Sequence, residues 1–495
     1  MPDAPSDDAP NVVVIYTDDQ DPDWVGAYGG DALTPNIDRL AEEGVRFDRY
    51  YATSPVCSPS RYSALTGRYA SRSDLFQEEF PPGGPVNIGW EPGIRGERPN
   101  LASVLSENGY TTGLVGKFHQ GIDGEEFEPV DPDADPTDPE VEARLERNYQ
   151  TVVDIVESCG FDEARSVYEG NVNGMELPEE FKHQNQDWVT RGAVEFIEDN
   201  HEDPFFLFMA PTLTHSPRGE SQLRSDPRAT PRGYLEEAPD VQPSRESVIE
   251  RAREFDAPLD VTWVDDGVGA VLDALEEHGV AEDTLVVFTS DHGDIEGKFS
   301  TYDRGARQPC LARLPGHTDS RGPCEDLVSN VDLAPTIFDL AGIEPPADYQ
   351  VDGQSFLPCL TGEGSYERES VFLEITTERA VVTDDNYKYI AVRYPPEIQE
   401  RVDAGERFNY WCVRYDGDVH HTYGADEYYP AYFEADQLYD LDADPEEQHN
   451  LAGDPEQADR LERMQGLLAA YSADLPHAFG EFTDGSEPAT SRQDE

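Results

Sequence analysis

Asn11-Val12-Val13-Val14-Ile15-Tyr16-Thr17-Asp18-Asp19 is an apolar run that ends on two adjacent carboxylates. Four consecutive β-branched residues leave no polar face, so the run reads as a strand buried on both sides, as in a parallel sheet. Thr111 to Val115, Phe205 to Met209 and Leu285 to Thr289 repeat the pattern. Helical patterns lie between them. Pro35 to Glu43 starts with Pro and is closed by Gly44; Val264, Val268, Val271, Leu272 and Leu275 recur at helical spacing before Gly279; Leu333 to Leu340 is closed by Gly342. Strands alternating with helices imply an α/β fold, a mostly parallel sheet sandwiched by helices. Near residue 366 the pattern changes. Val371 to Ile375, Arg379 to Thr383 and Tyr387 to Arg393 are β-rich and joined by short turns, which suggests a smaller C-terminal antiparallel sheet, followed by a helix from Glu456 to Tyr471. The chain is read as a main unit over 1–365, an α+β subdomain over 366–482 and an acidic tail over 483–495 expected to be disordered. Residues 123–142 and 216–246 read as surface excursions, either lids or flexible insertions.

Composition bounds the function. Apolar residues make up 37% of the 495, with 24 Tyr and 21 Phe, enough for a large core. The balance of 36 basic to 104 acidic residues gives a net charge of −68, spread over nearly every segment. Nucleic acid is a poor partner for that surface, because phosphate contacts need clustered Lys and Arg. Distributed acid suits concentrated salt, where a Debye length of about 3 Å at 1 M screens self-repulsion; a halophilic source is expected. Only Lys117, Lys182, Lys298 and Lys388 are lysines, so a Lys here is more tied to chemistry than usual. Cysteines 57, 159, 310, 324, 359 and 412 show no paired spacing, and neither a zinc site nor a disulfide framework is expected. The first ten residues are acidic and Pro-rich, with no signal-like or apolar membrane-spanning run, so a cytoplasmic protein with no membrane partner is expected.

Each of the four strands is followed by chemically capable residues: Asp18 and Asp19, then Lys117 and His119, then His215, then Asp291 and His292. Adjacent carboxylates are most often a solvated turn or cap, a loop histidine is usually a surface residue, and a lysine is usually a solvated cation. Ligands of open parallel sheets, however, bind beyond the carboxyl ends of strands, and four such groups on one rim make a site. Three carboxylates and an imidazole could hold a divalent cation. Val56-Cys57-Ser58-Pro59-Ser60-Arg61, continuing to Gly67-Arg68, reads as a loop that delivers Cys57 to a helix start, where negative charge is favoured. On this segment alone Cys57 is either a buried apolar thiol or a thiolate nucleophile with His119 or His215 as base.

Cys57-x-Pro59-Ser60-Arg61-x-x-x-Leu65-Thr66-Gly67-Arg68 closely resembles the signature of the formylglycine-dependent, Cys-type sulfatases of the alkaline-phosphatase superfamily. The resemblance extends over Thr17-Asp18-Asp19, Gly116-Lys117-Phe118-His119, the loop around His215, Ser290-Asp291-His292-Gly293, Lys298-x-x-x-Tyr302-Asp303, Val331 to Thr336 and Leu438-Tyr439-Asp440-Leu441. It implies an alkaline-phosphatase-like fold and a formylglycine at position 57 made by a formylglycine-forming enzyme. It also implies one divalent cation held by Asp18, Asp19, residue 57, Asp291 and His292. Calcium is the default of that family, with Mg2+ or Mn2+ also compatible. In the implied reaction the hydrated aldehyde attacks the sulfur of a sulfate ester and Asp291 takes its proton. Arg61, Lys117 and Lys298 neutralise the sulfate oxygens, His215 protonates the leaving oxygen, and His119 drives sulfate release.

The implied substrate is a small-molecule or saccharide sulfate ester; a phosphodiesterase or phosphonate monoester hydrolase, or a non-catalytic relative, are the rivals. Trp411, His420, His421 and Tyr428-Tyr429 either pack the second unit or stack on a sugar or aryl group. Oligomeric state is not legible. The charge reading makes one prediction: the melting temperature followed by circular dichroism should climb steadily from dilute buffer to about 1 M KCl. Full stability in dilute buffer would refute the halophilic reading.

Overall fold

The computed structural model describes residues 9–84, 87–122, 126–294, 297–318, 322–406 and 425–483. Residues 411, 420 and 421 and the tail from 484 lie outside the described residues. In chain order the principal sheet contains β1 (Asn11–Thr17), β2 (Val45–Tyr51), β3 (Thr111–Lys117), β4 (Glu163–Tyr168), β5 (Phe205–Ala210), β6 (Thr284–Ser290), β7 (Arg307–Arg313), β8 (Gly322–Cys324) and β9 (Val328–Ser329). Their order across the sheet is β8-β2-β7-β6-β1-β5-β3-β4, with β9 beside the far end of β2. β7 alone runs against its neighbours β2 and β6, so the sheet is mixed and mostly parallel.

The alternation of side chains along a strand explains why β1 must be apolar throughout. Val12, Val14 and Tyr16 enter one core while Val13 and Ile15 enter the other, and all five are at most 1% exposed. β5 and β6 divide the same way, Phe206, Phe208, Leu285 and Val287 to the first core and Leu207, Met209, Val286 and Phe288 to the second. The first core is covered by the helices Cys57–Thr66, Leu101–Glu107 and Leu333–Ala341, the second by Pro35–Glu43, Gln186–Asn200 and Leu259–Glu277.

A second sheet follows, β10 (Ser370–Ile375), β11 (Glu378–Thr383), β12 (Tyr387–Val392) and β13 (Asp436–Asp440), antiparallel and consecutive in order. One face packs on the helix Ala458–Ala473 through Met464 and Leu468. The other, through Leu373, Val382 and Ile390, packs on Tyr51, Tyr302 and Leu327 of the main unit.

Three features differ from the sequence reading. The segment 123–142 is not one loop: the helix Pro139–Ser158 begins inside it, with the Asp138 carboxylate accepting from the Glu140 N–H at 2.8 Å and Pro139 in the first turn. The segment 216–246 holds a short helix, Glu220–Leu223, and a two-stranded ribbon, Ala229–Thr230 with Gly233–Tyr234, before the helix Arg245–Phe255 starts. β2, β7 and β13 carry too many charged or polar residues, or a proline, to stand out as apolar runs. Tyr429 is 1% exposed and stacks on Tyr302 at 3.6 Å, and Arg304 sits over Tyr428, so this pair packs the junction between the two sheets. Among the described residues, no helix is long and apolar enough to cross a membrane.

At the end of β3, Gly116 has φ +95°, and a Cβ there would lie 2.1 Å from the Ala210 carbonyl oxygen on β5. Gly116→Ala should therefore cost about 2–4 kcal/mol, read as a lower denaturant midpoint at fixed salt. An unchanged midpoint would show that β3 can part from β5 at this point.

Candidate active site

β1 and β6 are adjacent and parallel, with Thr17 paired to Ser290, so Asp18 and Asp291 leave the sheet side by side. The Asp291 N–H donates to the Thr17 carbonyl at 3.0 Å, and the Asp18 N–H donates to Leu213 at 3.0 Å, which draws the loop after β5 to the same rim. Asp19 and His119 take positive φ, 55° and 50°. That left-handed backbone is costly for side-chain-bearing residues and is held here by the surrounding hydrogen bonds. The Asp19 N–H donates to Asp291 Oδ1 at 3.2 Å and the His119 N–H to the Glu169 carbonyl at 2.8 Å.

Cys57 is the first residue of a helix, Cys57–Thr66, whose every residue is buried. The helix start has no side-chain cap, which leaves its positive end beside Asp18. A buried polar cluster fixes its rotation. The Asn330 amide donates to Ser60 Oγ and to the Ser60 carbonyl, both at 3.0 Å, Tyr16 Oη meets Ser60 Oγ at 2.9 Å, and Ser60 Oγ donates to the Asp291 carbonyl. The other end is braced away from the site: Arg68 and Tyr62 both donate to Glu97, and Gly67 terminates the helix with φ +66°. The signature segment thus divides into positions 57 and 61, which face the carboxylate cluster, and scaffold at 60, 67 and 68.

Cys57 Sγ lies 3.2 Å from His292 Nε2, 3.6 Å from Lys298 Nζ and 3.7 Å from Asp18 Oδ1. Arg61 donates to Asp18 Oδ2 at 3.1 Å and to Asp291 Oδ2 at 2.9 Å. Lys117 Nζ donates to Asp18 Oδ2 and to Asn171 Oδ1, and Lys298 Nζ to Asp19 Oδ1 at 2.9 Å. His215 Nε2 is 3.8 Å from Asp19 Oδ2, and its Nδ1 donates to the Ser216 carbonyl at 2.7 Å, which leaves Nε2 facing the site. His119 is half-buried, and its Nδ1 has no hydrogen-bond partner among the described residues.

These charges set the protonation states. Burial alone would raise the Asp18 and Asp19 carboxyls, but Lys117 beside Asp18 and Lys298 beside Asp19 outweigh it and hold both below the usual carboxylate range. Asp291 is shifted the other way, by burial and by the neighbouring Asp18 charge, so it is the carboxylate of the three best placed to take a proton. Burial and Asp18 act against a Cys57 thiolate, yet Lys117, Lys298 and His292 bring the thiol down to about 6. Burial and the Lys117 charge keep the His119 imidazole neutral well below its ordinary range.

The donor set suits a divalent cation. One ligand atom from each of Asp18, Asp19, Cys57 and His292 lies within 4.8 Å of the others, and Asp291 Oδ1 is 3.6 Å from His292 Nε2. The Gly293 carbonyl accepts from His292 Nδ1 at 2.8 Å, so Nδ1 carries a proton and Nε2 is the nitrogen aimed inward. Asp18, Cys57, Arg61, Lys117, Asp291 and His292 are all 0% exposed. The fold brings every expected site residue to this rim. Asn171, which receives Lys117, was not foreseen, because a lone Asn after a strand end carries no motif. Of the four lysines, Lys117 and Lys298 are in the site; Lys388 is buried against Asp303 and Glu447 in the second sheet, and Lys182 pairs with Glu179 at the surface.

The sulfatase family model matches residues 10–343, and a model for the C-terminal part of N-sulphoglucosamine sulphohydrolase matches 291–406. The chain is 29% identical to N-acetylgalactosamine-6-sulfatase of Mus musculus over 411 residues, 75% of this chain and 70% of that protein. Two solved structures share the fold. One, from a glycosaminoglycan-metabolism locus of Bacteroides thetaiotaomicron, has a TM-score of 0.64 at 22% identity, covering 94% of this chain and 99% of that one. The other, solved in complex with its substrate D-glucosamine-2-N,6-O-disulfate, has a TM-score of 0.61 at 20% identity, with the same 94% and 99% coverage. The fold is α/β of the alkaline-phosphatase-like kind, with the smaller antiparallel sheet and helix appended.

Burial opposes a charged His292, but the Asp291 carboxylate prevails and the cation-free imidazole stays protonated up to about 9. A cation using Nε2 must displace that proton, so affinity should rise with pH until about 9 and level off above it. Calorimetry of Ca2+ binding in buffers of different ionisation enthalpy at neutral pH should register release of about one proton. His292→Asn should abolish that release while retaining binding; unchanged release in the variant would assign the proton elsewhere.

Proposed function

The chain belongs to the sulfatase family, and we propose that it cleaves a sulfate monoester with residue 57 as nucleophile after Cys57 is oxidised to formylglycine, beside one divalent cation, Ca2+. The observation that carries this reading is the placement of Cys57 Sγ at a buried helix start, within 3.7 Å of His292, Lys298 and Asp18. A formylglycine-forming enzyme would supply the oxidation. The modified side chain supplies a hydrated aldehyde, one hydroxyl to attack sulfur and a second whose deprotonation frees sulfate. The cation supplies positive charge to the sulfate oxygens and is held by Asp18, Asp19, Asp291, His292 and residue 57.

The chain's own residues complete the cycle. Asp291, the carboxylate with the raised pKa, accepts the proton of the attacking hydroxyl. Arg61, Lys117 and Lys298 are fixed before substrate arrives and stabilise charge that grows on the sulfate oxygens. His215, oriented through Nδ1, presents Nε2 to the leaving oxygen as general acid. His119, kept neutral, accepts the proton of the second hydroxyl and restores the aldehyde.

The carboxylates Asp18, Asp19 and Asp291 are matched by Arg61, Lys117 and Lys298. Relatives of this chain are named N-acetylgalactosamine-6-sulfatase and arylsulfatase A, so both a saccharide and an aryl sulfate fit this reading.

In host-purified protein, turnover of a sulfated amino sugar should be lost by about 10³-fold or more in Cys57→Ala, with the melting temperature unchanged at fixed salt. A thiol rather than an aldehyde at residue 57 by peptide mass, together with full activity, would overturn the nucleophile. Faster turnover of phosphonate monoesters than of sulfates would move the assignment to that chemistry.

A further inference from the structure

Cysteine spacing gives no hint of a second metal centre, yet the fold assembles one. Cys324 ends the edge strand β8, and Cys359 is the third residue of the helix Leu357–Thr361. Asp326 stands between them, its Oδ2 3.5 Å from Cys324 Sγ and 3.7 Å from Cys359 Sγ. One ligand atom from each of the three residues lies within 4.8 Å of the others. A tetrahedral zinc with Zn–S of about 2.3 Å and Zn–O of about 2.0 Å places sulfur and oxygen about 3.5 Å apart, so both sulfur–oxygen edges are already near the spacing of that tetrahedron.

The surroundings fit a cation better than a simple thiol–carboxylate contact. Two thiols and a carboxylate are mutually unfavourable once ionised, and no salt bridge to Asp326 exists among the described residues. The nearby arginines are committed elsewhere: Arg49 to the carbonyls of Thr383, Asp384 and Glu325, and Arg368 to Asp332. Cys310 is not a fourth ligand. It pairs with Phe47 on the opposite side from Cys324, so the Phe47 strand separates them. All three residues line a cavity of about 1070 Å³ at the junction of the two sheets, which gives a metal ion a path from solvent.

We infer that Cys324, Asp326 and Cys359 bind one thiophilic divalent cation of the zinc class, with the fourth position open to the junction cavity. Binding releases the thiol protons and gives the site two thiolates, one carboxylate and one metal dication. It ties β8, at the edge of the principal sheet, to the helix that precedes the second sheet. The site is separate from the sulfate chemistry, whose ligands are hard oxygens and an imidazole at the carboxyl ends of β1 and β6, three strands across the sheet from β8.

The test uses the full chain with Cys57→Ala in every sample, so that residue 57 contributes no thiolate. Metal-stripped protein is titrated with Co2+ in the presence of excess Ca2+. A near-ultraviolet sulfur-to-cobalt charge-transfer band should grow to saturation at about one equivalent and bleach when Zn2+ is added. The band should be absent in Cys324→Ser/Cys359→Ser, and Asp326→Ala should weaken Co2+ binding at least about tenfold. Should the double variant not fold, alkylation of Cys324 in the parent decides the question: Zn2+ should protect it and Ca2+ should not. No band in the parent, a band that survives the double variant, or a Cys324–Cys359 disulfide in unreduced host-purified protein would each overturn the site. Restoring Cys57 and assaying sulfate ester turnover separates the two readings, since Cys324→Ser should leave turnover unchanged.

Discussion

Three carboxylates buried within one small volume are the constraint around which this protein is organised. Asp18, Asp19 and Asp291 are at most 2% exposed, where like charges repel far more strongly than in water. Their stability rests on partners brought from separate parts of the chain: Arg61 from a helix after β2, Lys117 from the end of β3, and Lys298 from the segment after β6. Removing one such partner leaves an unpaired buried charge, which costs about 3–5 kcal/mol. These cations are therefore structural whatever chemistry they take part in, and the parallel sheet is the device that delivers them to one rim in register.

The second sheet takes part in this balance without touching the reacting atoms. The Thr301 N–H donates to Glu378 on β11 at 2.9 Å, Tyr302 Oη donates to Gln437 on β13 at 2.5 Å, and the Asp303 N–H donates to Glu447 at 2.7 Å. Lys388 on β12 closes the cluster by pairing with both Asp303 and Glu447. These contacts clamp the segment that follows Lys298, so the position of one lysine of the carboxylate cluster is set by side chains more than seventy residues downstream. Two of the four lysines, Lys117 and Lys298, lie among the buried carboxylates, and Lys388 holds this clamp instead.

Legibility in the sequence followed physical distinctness. β1, β3, β5 and β6 are buried on both faces and show as apolar runs, and their polar sequels gave Asp18, Asp19, Lys117, His119, His215, Asp291 and His292 as a converging set. β2 alternates apolar with charged residues, and β7 contains a proline, so their strand character comes from pairing with each other rather than from local pattern. Asn171 and the Tyr16–Ser60–Asn330 cluster escaped because a single polar residue signals nothing until the fold surrounds it. Cys324 and Cys359 escaped for the same reason, being joined only when β8 and a distant helix meet.

The helix that carries residue 57 has no surface of its own; Cys57 through Thr66 are all buried, with Cys57 at 0% exposure. A large enzyme cannot reach a side chain in that position once the sheet and its helices have closed. Under the proposed maturation, oxidation of Cys57 thus has to precede folding, while the segment from Val56 to Arg68 is still an extended chain. On that proposal the competence of each molecule is fixed before it folds, and a copy that closes with its thiol intact stays silent.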